Sequence, residues 1–336
     1  MNGNSGVLLT LSEEPLILSF KNTKINRRVA VGLVLAPVLS SCASEVTKVD
    51  SDSQFIKDVL FTLNQPDIDL LNIKLAVDNM ISPGDSNSIK LQVKYMADGI
   101  RANFTEKSTD RQKLEALKTY LYTPGKWNSN EPFAYDMQDP LGKEISSKLL
   151  STYLHAKKGN CVSMPLLFLF VGQEIGLNIS LARAPEHLFV KFTDEGKRTY
   201  NIETTSGGGF TRNEWIAKQL PMTQASVDSG LHMRSLTKKE SAIVIIETLL
   251  EYYWEQKKYQ QVISLSNALL PYYPNNAYLM LHLSASYASL AKIRQANQQK
   301  SGQTIIGSRI IGNMFESASM EWQQKARRIG WQELPS

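Results

Sequence analysis

The chain has 336 residues, 42% of them apolar and 21% charged, a balance that fits a globular fold and excludes a disordered or fibrous protein. The formal charge is +5, but Lys and Arg are scattered, so this is no nucleic-acid footprint and no nucleic-acid partner is expected. Only two cysteines occur, Cys42 and Cys161, which excludes a disulfide-stapled fold and a four-cysteine zinc site.

Residues 21–42 (KNTKINRRVAVGLVLAPVLSSC) place Lys21, Lys24, Arg27 and Arg28 before an eleven-residue apolar run, Val29 to Leu39, and then small residues. That is the order of a secretory signal. The run is too short to span a bilayer, which takes about 20 residues. Its end, Leu39-Ser40-Ser41-Cys42, resembles the lipobox of bacterial lipoproteins. The resemblance implies cleavage before Cys42, lipidation of that cysteine, and a membrane-anchored protein of the bacterial cell envelope. Ala43 next to it implies the periplasmic side of the outer membrane. Removing residues 1–41 takes away four basic and two acidic side chains, so +5 falls to +3. Residues 42–54 are then a polar tether.

Residues 55–145 form a helical lead-in. Leu71, Ile73, Leu75, Ala76 and Met80 recur at helical spacing, as do Leu91, Val93, Met96 and Ile100. Pro83-Gly84-Asp85 separates them as a turn. A further helix over 110–122 stops at Pro124-Gly125, and 126–142 reads as a structured loop.

Residues 146–235 change texture to an α+β core. A helix over 147–157 leads through Lys158-Gly159-Asn160-Cys161 to an apolar helix from Met164 to Val171, closed by Gly176. Three β-like runs come next, over 178–184, 187–193 and 198–205, giving one buried helix with a small antiparallel sheet.

Residues 236–336 return to helix. Residues 249–274 resemble a tetratricopeptide (TPR) unit: Tyr253, Tyr259, Leu270 and Pro274 fall near the expected positions, and Tyr287 lies 34 residues after Tyr253. Such a stretch either binds a peptide or protein partner or packs on the preceding domain. Gly302, Gly307 and Gly312 interrupt the chain beyond Ala291, and a last helix is expected over Phe315–Ile329.

Chemistry concentrates at Cys161. Proline is tolerated only in the first turn of a helix, so Pro165 keeps the apolar helix from starting much before Cys161. A helix N-terminus stabilises a thiolate, and its free N–H groups are able to hold a developing oxyanion. Asn160 is a supporting donor candidate. Of four histidines, His155 precedes the turn, His232 lies in a polar loop and His282 sits in an apolar run. His187 opens a strand after Ala184-Pro185-Glu186 and is the candidate base. With Asp194-Glu195-Gly196 as a three-residue loop and Gly196 left-handed, Leu188 faces Ile202 and Val190 faces Tyr200. His187 then lies opposite Glu203, with Asn201 as its diagonal neighbour. A two-residue loop sends His187 and Glu203 to opposite faces. The histidines lack metal-ligand spacing, so neither metal nor cofactor is expected.

The order KGNC, 25 residues, His, 15 residues, Glu resembles the transglutaminase-like superfamily, whose papain-like core uses Cys, His and an acidic residue. It is similar to the SirB-type group with a tetratricopeptide tail. The matching segments are Tyr153-Leu154, Lys158 through Pro165, Ala184 through Val190, Asn201-Ile202-Glu203 and Gly207-Gly208-Gly209. The resemblance implies Cys161 as nucleophile, His187 as base and Glu203 as orienting acid, with Glu203 standing where Asp is usual. Two functions are open: a thiol peptidase, amidase or acyl transferase, or an inactive lipoprotein that binds a peptide in the same cleft.

Overall fold

The computed structural model describes residues 42–301 and 306–333. The leader through residue 41, with the signal and cleavage motif, lies outside the described residues. The 42–54 stretch, expected as a tether, is instead the first part of a helix, α1 (Cys42–Leu63).

Helices α2 (Leu70–Ile81), α3 (Ser86–Arg101) and α4 (Asp110–Tyr122) cover the expected segments, but Ala76 and Leu91, expected on their apolar faces, are exposed. Each starts where an oxygen-bearing side chain satisfies free helix N–H groups: Asp69, Asp85 and Thr109, the last in a capping box with Gln112. The 126–142 loop contains a short strand, β1 (Ala134–Tyr135). After it come α5 (Leu150–Ala156), β2 (Lys158–Gly159) and α6 (Ser163–Glu174). Strands β1 and β2 pair in parallel, Tyr135 beside Gly159. Pro165 is the third residue of α6, within its first turn, where no intrahelical N–H is needed.

Strands β3 (Ile179–Ala184), β4 (His187–Thr193), β5 (Thr199–Glu203) and β6 (Gly209–Thr211) form an antiparallel meander in sequence order. The β4–β5 register corrects the expected one. Val190 pairs with Ile202 and Phe192 with Tyr200, so the loop spans residues 194–198. Asp194 holds this longer loop: its Oδ1 accepts the Arg198 N–H at 2.9 Å, and its own N–H donates to the Arg198 carbonyl at 3.0 Å. Lys197, rather than Gly196, takes the left-handed conformation, at φ 60°. The slip is two residues, so every side chain keeps its face.

Short helices α7 (Asn213–Gln219) and α8 (Gln224–Asp228) lead into α9 (Lys238–Glu255), α10 (Tyr259–Leu269), α11 (Ala277–Ser301) and α12 (Ile306–Arg328). Gly307 and Gly312 do not interrupt the chain as expected; both lie inside α12. Gly302 lies outside the described residues.

One apolar core runs from Phe55 to Leu279 and draws on all three stretches, with α6 buried through most of its length. Polar fasteners cross the same boundaries. Lys74 on α2 is buried, its ammonium 2.6 Å from Asp78 and 2.9 Å from the Lys148 carbonyl, while Asp78 accepts the Leu150 N–H at 2.8 Å. Buried charges persist only when paired and hydrogen-bonded in this way.

Candidate active site

Strand β2 delivers the chain to α6 through Gly159-Asn160-Cys161. Gly159 is required by close approach: a Cβ there would lie 2.4 Å from the Tyr153 ring and 2.8 Å from Met164. Asn160 is buried two residues before the N-cap Val162 of α6, and its Oδ1 accepts the N–H groups of Val162 and Ser163, both at 3.0 Å. Its Nδ2 donates to Ser147 Oγ at 2.9 Å, and Ser147 donates in turn to Asp139 at 2.6 Å. Gly142, at φ 66°, packs so closely that a Cβ would meet the Asn160 amide at 2.9 Å. This web binds the 139–147 loop to the Cys161 turn.

The free helix N–H groups expected for an oxyanion are absent at this turn. Asn160 N–H donates to Ser163 Oγ at 3.1 Å and Cys161 N–H to the Pro140 carbonyl at 3.1 Å. Val162 and Ser163 are held by Asn160 Oδ1 and Met164 by the Asn160 carbonyl. Asn160 is therefore not free as an oxyanion donor: its side chain is fully engaged in building the turn. Tyr135, which sequence reasoning passed over inside the 126–142 loop, donates its hydroxyl to the same Pro140 carbonyl at 3.1 Å. Burial raises the Tyr135 phenol pKa, and the charges of Cys161, Glu203 and Asp139 add to it, which places this hydroxyl at the site in its protonated form.

Cys161 is 2% exposed, and its sulfur lies 3.6 Å from the Glu186 carbonyl oxygen. The next residue, His187, puts Nε2 2.7 Å from Glu203 Oε2. The expected partnership holds despite the corrected register, because a diagonal neighbour on one sheet face is within reach of a long side chain. Burial opposes the charged imidazole. The Glu203 carboxylate and the hydrogen bonds to Cys161 and Glu203 outweigh it and push His187 up to about 10. Burial raises Glu203, but the His187 charge and the Thr205 hydrogen bonds hold it below the usual carboxylate range. The second Glu203 oxygen accepts the Thr205 hydroxyl at 2.6 Å and its N–H at 3.1 Å, so the carboxylate cannot swing away.

Asn201 does not support the imidazole. In the actual register it stands opposite Lys191, accepts that ammonium at 2.7 Å and donates to Asn213 at 2.8 Å. The remaining histidines are elsewhere. His155 is exposed on α5, His232 is buried against Ser226, and His282 is buried in α11.

A family model described as the transglutaminase-like superfamily matches residues 87–229, a span that contains Cys161, His187 and Glu203. Residues 87–229 are thus similar to a transglutaminase-like domain. It is also similar to two proteins of Buchnera aphidicola. UPF0162 protein BU173 of subsp. Acyrthosiphon pisum (strain APS) is 24% identical over 212 residues, 61% of this chain and 74% of that protein. The UPF0162 protein of subsp. Schizaphis graminum (strain Sg) is 26% identical over 211 residues, 61% and 70% of the two chains. No solved structure matches the chain.

Proposed function

We propose that this protein is a cysteine acyl-transfer enzyme, a peptidase, amidase or transglutaminase-type transferase, anchored to the outer membrane through a lipid on Cys42. The observation that carries the reading is the imidazole of His187, held between the Cys161 sulfur and a carboxylate 2.7 Å away. A buried carboxylate fixes the ring tautomer and stabilises the imidazolium, as nucleophile–base pairs require.

In this mechanism the thiol proton resides on His187 before attack, and the sulfur's electron pair forms a C–S bond to an amide carbonyl. The carbonyl pair moves to oxygen. Collapse breaks the C–N bond, and the leaving amine takes the proton from His187, which leaves a thioester on Cys161. Water or an acceptor amine, deprotonated by His187, attacks the thioester and returns the proton to sulfur. The Glu203-for-Asp exchange adds a methylene, and the 2.7 Å contact is reached with it in place. Within this proposal the SirB-type resemblance and the tetratricopeptide-like helices over 236–336 supply a surface for a protein or peptide partner.

The closed thiol favours a second reading, a binding lipoprotein whose cleft holds a peptide without cleaving it. An electrophilic amide or ester probe followed by mass spectrometry separates the two. Acyl-transfer chemistry predicts an adduct on Cys161 that is lost in His187→Ala; a binding protein gives no adduct in either.

A further inference from the structure

The residue that places His187 is itself in a costly conformation. Ala184 pairs with His187, so β3 and β4 join through Pro185 and Glu186 alone. Proline suits the first central position of a turn, but Glu186 occupies the second at φ 53°. A side chain other than Gly holds a left-handed backbone only where its surroundings over-determine it.

The bracing comes from the C-terminal helices. Glu186 N–H donates to the Tyr278 hydroxyl at 3.4 Å, while its carbonyl receives the Cys161 thiol. The Glu186 peptide is thus held between the nucleophile and α11. Tyr278 is fixed in turn, its ring 4.1 Å from the Arg183 guanidinium. Arg183 on β3 is buried and pairs with Glu247 on α9, at 2.5 and 3.3 Å. Asn276 closes the circuit: Nδ2 donates to Glu247 at 2.7 Å, and Oδ1 caps α11 by accepting the Tyr278 N–H at 3.0 Å.

We propose that Tyr278 is a positioning residue for the catalytic turn: its hydroxyl, braced through Arg183 and Glu247, fixes the Glu186 peptide and so aligns His187 with Cys161. This rests on the acyl-transfer reading above and gives the C-terminal helical region a part in it. Loss of the hydroxyl leaves the strained Glu186 N–H without its partner, and the imidazole then drifts from the sulfur. The other titratable groups around the pair are Glu203 on β5, Tyr135 on β1, and Glu186 with Lys143 at the turn. Of these, Glu186 is the one in contact with Tyr278, through its N–H.

The test is the pH profile of Cys161 alkylation by iodoacetamide, site-resolved by mass spectrometry, in the full chain. Wild type, Tyr278→Phe and Tyr278→Ala are compared. Phe keeps the ring over Arg183 and removes only the hydroxyl. Positioning predicts that both variants shift the profile about one pH unit toward alkaline, since the charge partner is misaligned. A Tyr278→Phe profile that overlays the wild type, with or without a shift in Tyr278→Ala, assigns the ring a packing role and overturns the proposal. A wild-type profile indifferent to His187→Ala overturns the acyl-transfer reading, and this proposal falls with it.

Discussion

The Cys161 sulfur and the Glu186 carbonyl oxygen lie 3.6 Å apart, so the residue that immediately precedes the imidazole also covers the thiol. One short turn therefore governs both access to the thiol and the placing of its base. A carbonyl substrate reaches the sulfur only by displacing or replacing that contact.

Removing the base costs more than removing its partner. General base catalysis contributes about 10²–10⁴-fold, so His187→Ala lowers the acylation rate by that range. Glu203→Gln keeps a hydrogen-bonding group near Nε2 but removes the charge, and its rate falls between wild type and His187→Ala. Stopped-flow acylation with an activated ester measures both. Equal rates in Glu203→Gln and wild type would remove Glu203 from the mechanism.

Stability should be greatest near pH 6.5 and fall on both sides. His187 is raised from 6.5 to about 10, so its contribution is full below 6.5 and is lost as pH rises toward 10. His232 is depressed to about 4 by burial and by Arg183, so its contribution is full above 6.5 and is lost as pH falls toward 4. Glu203, held low by His187 and Thr205, adds a loss below about 4.5. Urea midpoints across pH for His187→Ala and His232→Asn check the assignment. The first flattens the alkaline limb and the second the acid limb.

Asn160→Ala removes the acceptor of the Val162 and Ser163 N–H groups, one part-buried and one buried, at the turn into α6. The expected loss is about 1–3 kcal/mol in chemical denaturation. A loss under about 0.5 kcal/mol would show that this acceptor is dispensable.

Glu247→Ala leaves the Arg183 guanidinium buried without its carboxylate. Breaking a buried pair from one side costs about 3–5 kcal/mol, whereas replacing both members with apolar residues recovers much of it. Arg183→Met with Glu247→Leu should accordingly melt above Glu247→Ala alone. The reverse order would contradict the pairing.

The proximity of Cys161, His187 and Glu203 was legible because each sits at a position with a strong local signal. Pro165 limits where α6 starts, the Ala184-Pro185-Glu186 turn precedes His187, and strand parity keeps His187 and Glu203 on one face. The β4–β5 loop was not legible, since its length depends on Asp194 accepting from Arg198 and on Lys197 adopting φ 60°. The turn's N–H groups were misjudged for a related reason: Pro140 and the Asn160 side chain satisfy them, and neither leaves a periodic trace. Tyr278 meets Glu186 across 92 residues of chain, a separation that no spacing rule reaches. Signals within a few residues survive in sequence, and contacts made by tertiary docking do not.

The most direct test of the Cys161–His187 pair is the rate of Cys161 alkylation at neutral pH in wild type and His187→Ala. Peptide mapping separates Cys161 from Cys42. The account predicts modification of Cys161 in the folded wild-type chain and at least a tenfold slower reaction without the imidazole, about 1.4 kcal/mol in activation free energy. Equal rates in the two proteins, or no modification of Cys161 in either, would contradict it.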